Sequence, residues 1–587
     1  MLSNAFIAGA LGAAYLTILI LQLNPQVALA SRTAWHWYLT IGALYGVQLA
    51  LVFYALMLVR AFLTVELFSP AWISVRLLAW LSSIAAAVAA ALMWFNLRGL
   101  AAALPEPSAH RLAVGASATT ASAVVLCGIA VAHYSFGRRG SRVGAALLGI
   151  ALTASLVLPL AARGNRARPL GEPPARASSE SPVAAVEGAP RVTMILLDGA
   201  SLDYIWPRAA EGRLPNFGRL LDAGASMDLA TIRPTQPDPV WAAVATGMYP
   251  AKNGVRSATS YFARGDDRAI DLLPDYCFSH TLVQLGIVRD ERKTSSAWRA
   301  RPLWSVLNDY GISTGIVRWP LTYPVQPVNG FVVADRFHQL LGSMPETDGR
   351  AVYPMELQDP ARHAFDGSEV PPVVLPGGTP IPAGTGSDLT PARWDQYYAR
   401  ALRAALSRRP VQFTALRYQG LDTIGHLFLR YAQPQAFGAD IPDDAREKYG
   451  AVLDRYYGYI DGEIGAAIDA LAPGDLLLVV SGFGMQPVGP VARFANRLLR
   501  QPDASGAHDR APDGFLLAYG SAVERGKRQR GSIVDVAPTV LYFMGVPIAR
   551  DMDGFTRADL FTRQFTAERP ITFIPTHMRK DGQRSKD

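Results

Sequence analysis

The chain has 587 residues, of which 50% are hydrophobic and only 18% are charged, and its formal net charge is +8. This length exceeds what one hydrophobic core supports, so at least two domains are expected, and the low charged fraction indicates membrane segments. The basic residues form no clustered face, which argues against nucleic-acid binding, and the two cysteines, Cys127 and Cys277, predict neither a disulfide framework nor a cysteine metal site.

Five long apolar runs fill the first 162 residues. Each is close to the roughly 20 residues that cross a bilayer as a helix. Trp35 and Trp37 precede the second run and Trp94 lies near the end of the third, as aromatic residues do at membrane interfaces. The pattern predicts an all-α bundle of five transmembrane helices over residues 1–162, in contact with the lipid bilayer, from runs at 4–23, 38–59, 77–95, 112–134 and 143–162.

Two alternatives fit this segment less well. A buried helical bundle in a soluble domain does not account for five such runs separated by short charged loops. A signal peptide cleaved after residues 28–30 would need a basic start, and the first residues contain no Lys or Arg. The loop arginines do not decide the orientation. A cytoplasmic start with five crossings predicts a multi-pass protein whose remaining chain lies outside the cytoplasm, and the membrane that we expect is the bacterial inner membrane.

Residues 163–190 are rich in Pro, Ala, Ser, Glu and Arg without apolar periodicity, which predicts a flexible linker. Beyond the linker, apolar runs typical of strands alternate with helical patterns, and this alternation predicts an α/β domain with a mostly parallel central sheet. The expected strands are 191–197, 313–318, 411–417 and 476–480, and the expected helices are 215–223, 240–246, 302–310, 391–407 and 444–472.

Polar residues follow three of these strands. Asp198, Asp422 and the Ser481-Gly482 pair each come just after a strand, where ligands bind in sheets of this kind. His426 is four residues after Asp422, so on a helix the carboxylate and the imidazole share one face. With His508 farther along the chain, these side chains offer ligands for a zinc-like divalent cation. The alternative is an ordinary surface helix that carries Asp and His at this spacing.

Several short motifs, in this order and spacing, resemble the type I phosphodiesterase/nucleotide pyrophosphatase branch of the alkaline phosphatase superfamily. The resemblance covers about residues 191–548 and implies an alkaline-phosphatase-like α/β sandwich, with 549–587 as a C-terminal extension. It also implies transfer of a phosphate group to a hydroxyl nucleophile, helped by two metal ions. The motifs are Asp198-Gly199, Leu214 to Phe217, Thr246 to Pro250, Asn253-Gly254, Thr322 to Pro324, Pro327 to Gly330, Asp422 to His426, His508 with Pro512 to Gly514, and Asp535 to Leu541.

The resemblance assigns metal ligands to four residues. The first site of the family uses an Asp, a His four residues later and a distant His, which Asp422, His426 and His508 match. The second site uses the Asp after the first strand, matched by Asp198, and an Asp-His pair that here reads Gly482-Phe483. Glycine and phenylalanine cannot ligate through their side chains, so we expect one or two ions, zinc being the expected metal. A rebuilt second site would need another ligand such as Asp238.

The resemblance also suggests a nucleophile. Thr235-Gln-Pro-Asp238 is similar to the Thr-x-Pro-Asn pattern of the nucleotide pyrophosphatases, if two residues are inserted after it. Thr235 is therefore the predicted nucleophile, the alternative being a role only in a proline-rich turn. Arg417 and Arg430 flank the Asp422/His426 pair; for both we expect solvated positions, with anion binding as the alternative.

Three functions are consistent with the sequence. The first is a membrane-anchored, metal-dependent hydrolase of phosphate mono- or diesters. The second is a transferase that moves a phospho-headgroup between lipids or glycans, since phosphoethanolamine transferases and lipoteichoic acid synthases share the layout of five membrane helices followed by such a domain. The third is a catalytically silent member of the superfamily, which the residues at 482 and 483 favour and the intact Asp422, His426 and His508 oppose.

Overall fold

The computed structural model describes most of the chain and divides it into two compact units. One unit comprises Met1–Glu172 and Arg256–Lys293, the other Pro173–Val255 and Thr294–Asp587. Cys277 and nearly all of the predicted linker lie outside the described residues. These are 2–63, 75–136, 141–164, 190–274, 279–340, 349–365, 374–375, 379–380, 390–437, 441, 443–489, 493, 505–508 and 512–578.

The helices of the described residues are numbered here in chain order. They are α1 (Leu2–Leu23), α2 (Arg32–Ile41), α3 (Val47–Leu63), α4 (Val75–Leu100), α5 (Glu106–Phe136), α6 (Ser141–Arg163), α7 (Leu202–Ala210), α8 (Pro215–Ala223), α9 (Pro237–Thr246), α10 (Pro250–Asn253), α11 (Ser279–Gln284), α12 (Leu303–Asp309), α13 (Phe337–Leu340), α14 (Gln358–Phe365), α15 (Thr390–Arg408), α16 (Gly420–Ala432), α17 (Asp443–Tyr449), α18 (Val452–Asp469), α19 (Val536–Phe543) and α20 (Arg563–Glu568).

The strands follow the same convention. They are β1 (Val192–Leu197), β2 (Ala225–Ala230), β3 (Thr259–Phe262), β4 (Arg289–Arg292), β5 (Thr314–Val317), β6 (Gly330–Val333), β7 (Val352–Tyr353), β8 (Val374–Leu375), β9 (Thr379–Pro380), β10 (Phe413–Tyr418), β11 (Leu476–Phe483), β12 (Gln486–Pro487), β13 (Gly506–Ala507), β14 (Asp513–Tyr519), β15 (Gly526–Lys527), β16 (Gly531–Ser532), β17 (Ile548–Ala549) and β18 (Phe573–Ile574).

The first unit contains the apolar helices. As predicted, five of the described helical stretches are long and apolar enough to cross a bilayer. Large apolar side chains such as Leu51, Phe62 and Ile150 are exposed on this unit, as suits a surface that faces lipid. The five stretches are Leu2–Leu23, Arg32–Val59, Val75–Ala103, Glu106–Ala132 and Arg142–Arg163. The second includes one π-helical stretch, Gly42–Gly46.

A segment from the middle of the chain, Arg256–Lys293, belongs to this first unit. The side-chain amide of Asn24, just after α1, donates to the Leu272 carbonyl at 2.7 Å. Next to it, the carboxylate of Asp271 pairs with Arg256 at 2.7 Å and Lys293 at 2.8 Å. Burial alone would raise the pKa of Asp271, but Lys293 and Arg256 outweigh burial and lower this pKa to about 2. The sequence analysis expected one domain over 191–548 and did not predict that residues 256–293 group with the apolar helices.

The second unit is built on a ten-stranded sheet among the described residues, in the order β15-β2-β14-β11-β1-β10-β5-β6-β7, with β16 also paired to β2. Strands β11, β1, β10, β5 and β6 run parallel, whereas β14 is antiparallel to both β11 and β2 and β7 is antiparallel to β6. The sheet is therefore mixed, with a parallel centre. All six residues of β10 and all eight of β11 are buried, as expected for strands covered on both faces.

The expected strands correspond to β1, β5, β10 and β11. The expected helix over 444–472 is wrong as a single element, because α17 ends at Tyr449 and α18 begins at Val452. A Cβ atom at Gly450 would lie 2.5 Å from the Arg446 carbonyl oxygen, so the chain turns there on a glycine. Strands β2 and β14 were not expected.

The C-terminal residues pack on the second unit. β17 pairs in parallel with β18, and the Asp553 carboxylate accepts from the Tyr249 amide at 2.8 Å. The predicted extension over 549–587 is therefore, over its described part, tied to the sheet-containing unit.

Candidate metal centre

The site lies at the carboxyl ends of the central strands. β1 pairs with β10 on one side and β11 on the other, so the residues after these strands meet at one edge of the sheet. Asp198 and Gly199 follow β1, and α16 follows β10. Gly199 has a φ of 72°, and a Cβ atom there would lie 2.9 Å from the Cα of Asp422. Only glycine satisfies both constraints, and it brings the two loops into contact.

Three ligand-type side chains converge at this edge: Asp422 and His426 from α16, and His508 after β13. Their potential ligand atoms all lie within 4.8 Å of one another, and this trio, called the metal cluster below, is the one such group in the described part of the chain. Oδ1 of Asp422 is 3.6 Å from Nε2 of His426 and 3.6 Å from Nε2 of His508. Because α16 contains both Asp422 and His426, their i, i+4 spacing places them on one face of the helix, as the sequence predicted.

Backbone carbonyls determine which nitrogen of each neutral histidine ring carries the proton. Nδ1 of His426 donates to the Gly506 carbonyl at 2.7 Å, and Nδ1 of His508 donates to the Thr235 carbonyl at 2.9 Å. A carbonyl oxygen only accepts, so Nδ1 carries the proton, and in a neutral imidazole Nε2 then carries the lone pair. Both lone pairs face the Asp422 carboxylate. Histidine metal ligands are commonly oriented through their second nitrogen in this way.

One oxygen of the Asp422 carboxylate receives no hydrogen bond from any residue that the structure describes. This oxygen, Oδ1, is buried. Burial raises the pKa of Asp422, and the positive charges that His508 and His426 carry when protonated oppose that rise only in part. One carboxylate oxygen and two imidazole lone pairs directed at the same space match the ligand set of a divalent zinc-like ion. The metal cluster therefore fits such an ion.

Asp198 lies beside the metal cluster but is already neutralised by protein donors. Nε of Arg417 lies 3.1 Å from each of its carboxylate oxygens, and Nη2 of Arg417 also donates to Oδ2. The indole nitrogen of Trp241 donates to Oδ1 at 2.6 Å. Burial alone would lower the pKa of Arg417, but Asp198 outweighs burial and raises it. We call Asp198, Arg417 and Trp241 the guanidinium cluster.

The remaining positions of a second metal site are filled by apolar groups. A Cβ atom at Gly482 would lie 2.5 Å from Cγ1 of Val240, so an aspartate does not fit there. Phe483 is fully buried, and its ring centroid is 5.0 Å from that of His508. With Asp198 bound to Arg417 and neither 482 nor 483 able to ligate, the residues at the three family positions do not fit a second ion.

Thr235 contributes to the site through its backbone. Its carbonyl accepts from His508, while its hydroxyl, in a side chain that is 1% exposed, donates to the Ile232 carbonyl at 2.9 Å. Asp238, the acid of this motif, is one of the negative charges that raise the pKa of Arg417.

Two residues of the site were missed or misjudged from the sequence. Arg417 was expected to be solvated, yet its side chain is only 7% exposed. Trp241 had no role. An arginine inside the otherwise apolar run of β10 was the one available signal for the first, because a charge in a buried strand needs a partner.

A third residue outside the site holds α16 in position. The Asp395 carboxylate accepts from the backbone amides of Gln419 at 3.0 Å and Gly420 at 2.8 Å and pairs with Arg318. Acceptors at a helix start satisfy amides that have no partner inside the helix. Asp395 thus fixes the start of the helix that carries Asp422 and His426.

A family described as type I phosphodiesterase / nucleotide pyrophosphatase matches residues 192–538. The match covers more than half of the chain and contains every residue of the two clusters. A search of curated proteins gave no match.

Among solved structures, the chain is similar to murine and human ectonucleotide pyrophosphatase / phosphodiesterase 5. The identities are 13% and 14%, each with a TM-score of 0.35, over 63% of this chain and 100% of the other. An inactive variant of the murine protein in complex with AMP matches with 14% identity and a TM-score of 0.36, over 64% of this chain and 100% of the other. Similarity at this level carries no argument about substrate.

Proposed function

The chain belongs to the type I phosphodiesterase / nucleotide pyrophosphatase family, and from this premise we propose that it is a membrane-anchored, metal-dependent hydrolase of phosphate esters. The observation that carries the proposal is the metal cluster: a buried, unpartnered carboxylate oxygen faces two imidazole nitrogens whose tautomers are set by backbone carbonyls. Without a metal ion or a proton between them, the buried carboxylate oxygen and the two partly buried Nε2 atoms would face one another as acceptors, at a cost in free energy.

The metal cluster supplies the ligands in this proposal. Asp422, His426 and His508 would hold one divalent ion, with zinc favoured by the two nitrogens and one oxygen. When bound, such an ion polarises a phosphorus-bound oxygen and favours ionisation of an attacking hydroxyl. The carbonyls of Gly506 and Thr235 keep both rings oriented for it.

Thr235 is the proposed nucleophile. Its carbonyl accepts from His508, which places Thr235 next to a proposed metal ligand, and its hydroxyl would leave the Ile232 carbonyl in order to attack. Attack by Oγ would form a P–O bond to threonine as the bond to the leaving alcohol breaks. Water would then cleave the threonine ester, so each cycle consumes one water and releases one alcohol and one phosphate product.

The first experiment measures zinc content and hydrolysis of bis-(4-nitrophenyl) phosphate by the full chain in detergent. We expect Thr235→Ala to keep the zinc of the unmutated protein and lose turnover, and Thr235→Ser to retain a measurable part of it because a hydroxyl remains. Full activity in Thr235→Ala would transfer the role of nucleophile to water or another residue. A zinc-loaded wild type that hydrolyses none of several phosphate esters would instead favour the headgroup transferase or the silent protein.

The membrane part of the proposal has its own test. Five helices that are long and apolar enough to cross a bilayer support a multi-pass protein, and an odd number of crossings from a cytoplasmic start puts the sheet-containing unit outside the cytoplasm. For a bacterial inner membrane, a reporter that is active only outside the cytoplasm, fused after residue 190, should be active. Activity only of a reporter specific for the cytoplasm would reverse the orientation.

A further inference from the structure

Arg417 binds Asp198, the carboxylate that a two-metal centre would use as a ligand. It lies at the carboxyl end of β10, next to Asp198 and just before α16. Its side chain is 7% exposed and that of Asp198 is 0% exposed. Because Nε and Nη2 both donate to the carboxylate, the planar guanidinium is held in one orientation.

This pairing leaves one end of the guanidinium unused. Nη1 of Arg417 makes no hydrogen bond to any residue that the structure describes. Arg417 also lies within electrostatic reach of Asp422. Two N–H donors of a fixed, permanently charged group are thus available beside the metal cluster.

Protein side chains also occupy the positions where the remaining ligands of a second ion would lie. Asp198 is shared between Arg417 and Trp241, Val240 blocks a side chain at position 482, and Phe483 packs on His508. The positive charge that a second ion would bring next to Asp198 is already there as a guanidinium. A guanidinium also matches the geometry of phosphate oxygens.

We propose that Arg417 takes the place of a second metal ion in this chain, with its Nη1 binding an oxygen of the substrate phosphate while the metal cluster holds a single ion. The inference rests on the proposed function and narrows it to a one-metal centre. Asp198 is then a positioning residue for Arg417 and not a metal ligand.

Zinc analysis of the purified full chain is the first test. We expect one zinc per chain, unchanged in Asp198→Asn and in Arg417→Gln, since neither residue ligates. Two zinc ions in the wild type, or loss of zinc in Asp198→Asn, would overturn the role of Arg417 and leave the hydrolase proposal intact. No zinc at all would overturn the hydrolase proposal itself.

Binding of inorganic phosphate to the zinc-loaded protein, measured by calorimetry, is the second test. Arg417→Gln should weaken binding by about 10–100-fold, the loss expected for one hydrogen bond between charged groups. Asp198→Asn keeps Arg417 but loses one of the two oxygens that orient it, so it should weaken phosphate binding less than Arg417→Gln does. Arg430→Gln is the matched control for general charge and should leave the affinity unchanged.

A double variant keeps the test decisive if Arg417→Gln fails to fold because Asp198 is left unpaired. Arg417→Gln combined with Asp198→Asn removes both charges and retains a hydrogen-bonding pair of similar size. We expect it to fold, to bind one zinc and to show the same loss of phosphate affinity as Arg417→Gln. Wild-type phosphate affinity in a folded, zinc-loaded double variant would overturn the proposal.

Discussion

Asp422 and Asp198 are two buried carboxylates at the same edge of one sheet, and their surroundings differ in kind. Oδ1 of Asp422 lies 3.6 Å from the Nε2 atoms of His426 and His508 and has no hydrogen-bond partner among the described residues. The Asp198 carboxylate accepts hydrogen bonds from Arg417 and Trp241, and Arg417 also balances its charge. The comparison teaches that the residue type alone does not identify a metal ligand. A carboxylate with acceptor neighbours requires a cation from outside, whereas one with donor neighbours has its cation in the protein.

The largest effect is expected at the metal cluster. His426→Ala removes one of three ligands, so the zinc should be lost and phosphodiester hydrolysis should fall by about 10³-fold or more, because the ion supplies several kcal/mol of charge stabilisation. Zinc content and kcat/KM measure both losses. His363→Ala is the matched control, since this histidine is exposed on α14 and far from both clusters in the chain. Retention of zinc by His426→Ala would contradict the assignment of the ligands.

The second prediction compares the two carboxylates directly in zinc-free protein. Asp198→Ala leaves the Arg417 charge buried without a partner, and it should lower the free energy of unfolding by about 3–5 kcal/mol. Asp422→Ala removes a carboxylate whose Oδ1 atom makes no hydrogen bond within the described residues and has imidazole nitrogens only at 3.6 Å, so its effect should be much smaller.

Denaturant unfolding in detergent, with and without added zinc, measures this difference. Zinc should stabilise Asp198→Ala but not Asp422→Ala, because only a protein that binds the ion in its folded state gains stability from it. Equal destabilisation by the two substitutions in zinc-free protein would remove the contrast between the clusters.

A third prediction concerns the filled space at position 482. Gly482→Ala places a Cβ atom 2.5 Å from Cγ1 of Val240, and such overpacking should cost about 1–3 kcal/mol of stability. Val240→Ala removes that methyl group, so adding it to Gly482→Ala should recover part of the loss. A double-mutant cycle of unfolding free energies measures the coupling. Additive effects would mean that Val240 does not fill this position.

The smallest effect is a pH dependence of the first unit. Asp271, like Asp198, is neutralised by protein cations, and its pKa is lowered from 3.8 to about 2. A lowered folded-state pKa stabilises the protein fully above pH about 4 and loses that contribution, about 2 kcal/mol, as pH falls through about 2. Thermal unfolding between pH 2 and 5 should show this loss, and Asp271→Asn should be less dependent on pH in that range. An equal slope in both proteins would contradict the ion pairs with Arg256 and Lys293.

The sequence by itself determined the local features of this protein. Five apolar runs predicted five helices, since length and composition are enough to define an apolar helix. The spacing of Asp422 and His426 predicted their common helix face, and the order of short motifs predicted the family that residues 192–538 match. The strands at the parallel centre of the sheet were also predictable, because buried parallel strands are continuous apolar runs.

The tertiary structure decided what depends on pairing between distant residues. Strand register sets Arg417 beside Asp198, and the packing of α9 fills position 482 and brings Trp241 to the same carboxylate. Strands β2 and β14 and the grouping of residues 256–293 with the apolar helices depend equally on long-range contacts. One sequence lists donors and acceptors but not which of them face each other. That geometry decides whether a buried aspartate needs a metal ion or already has its arginine.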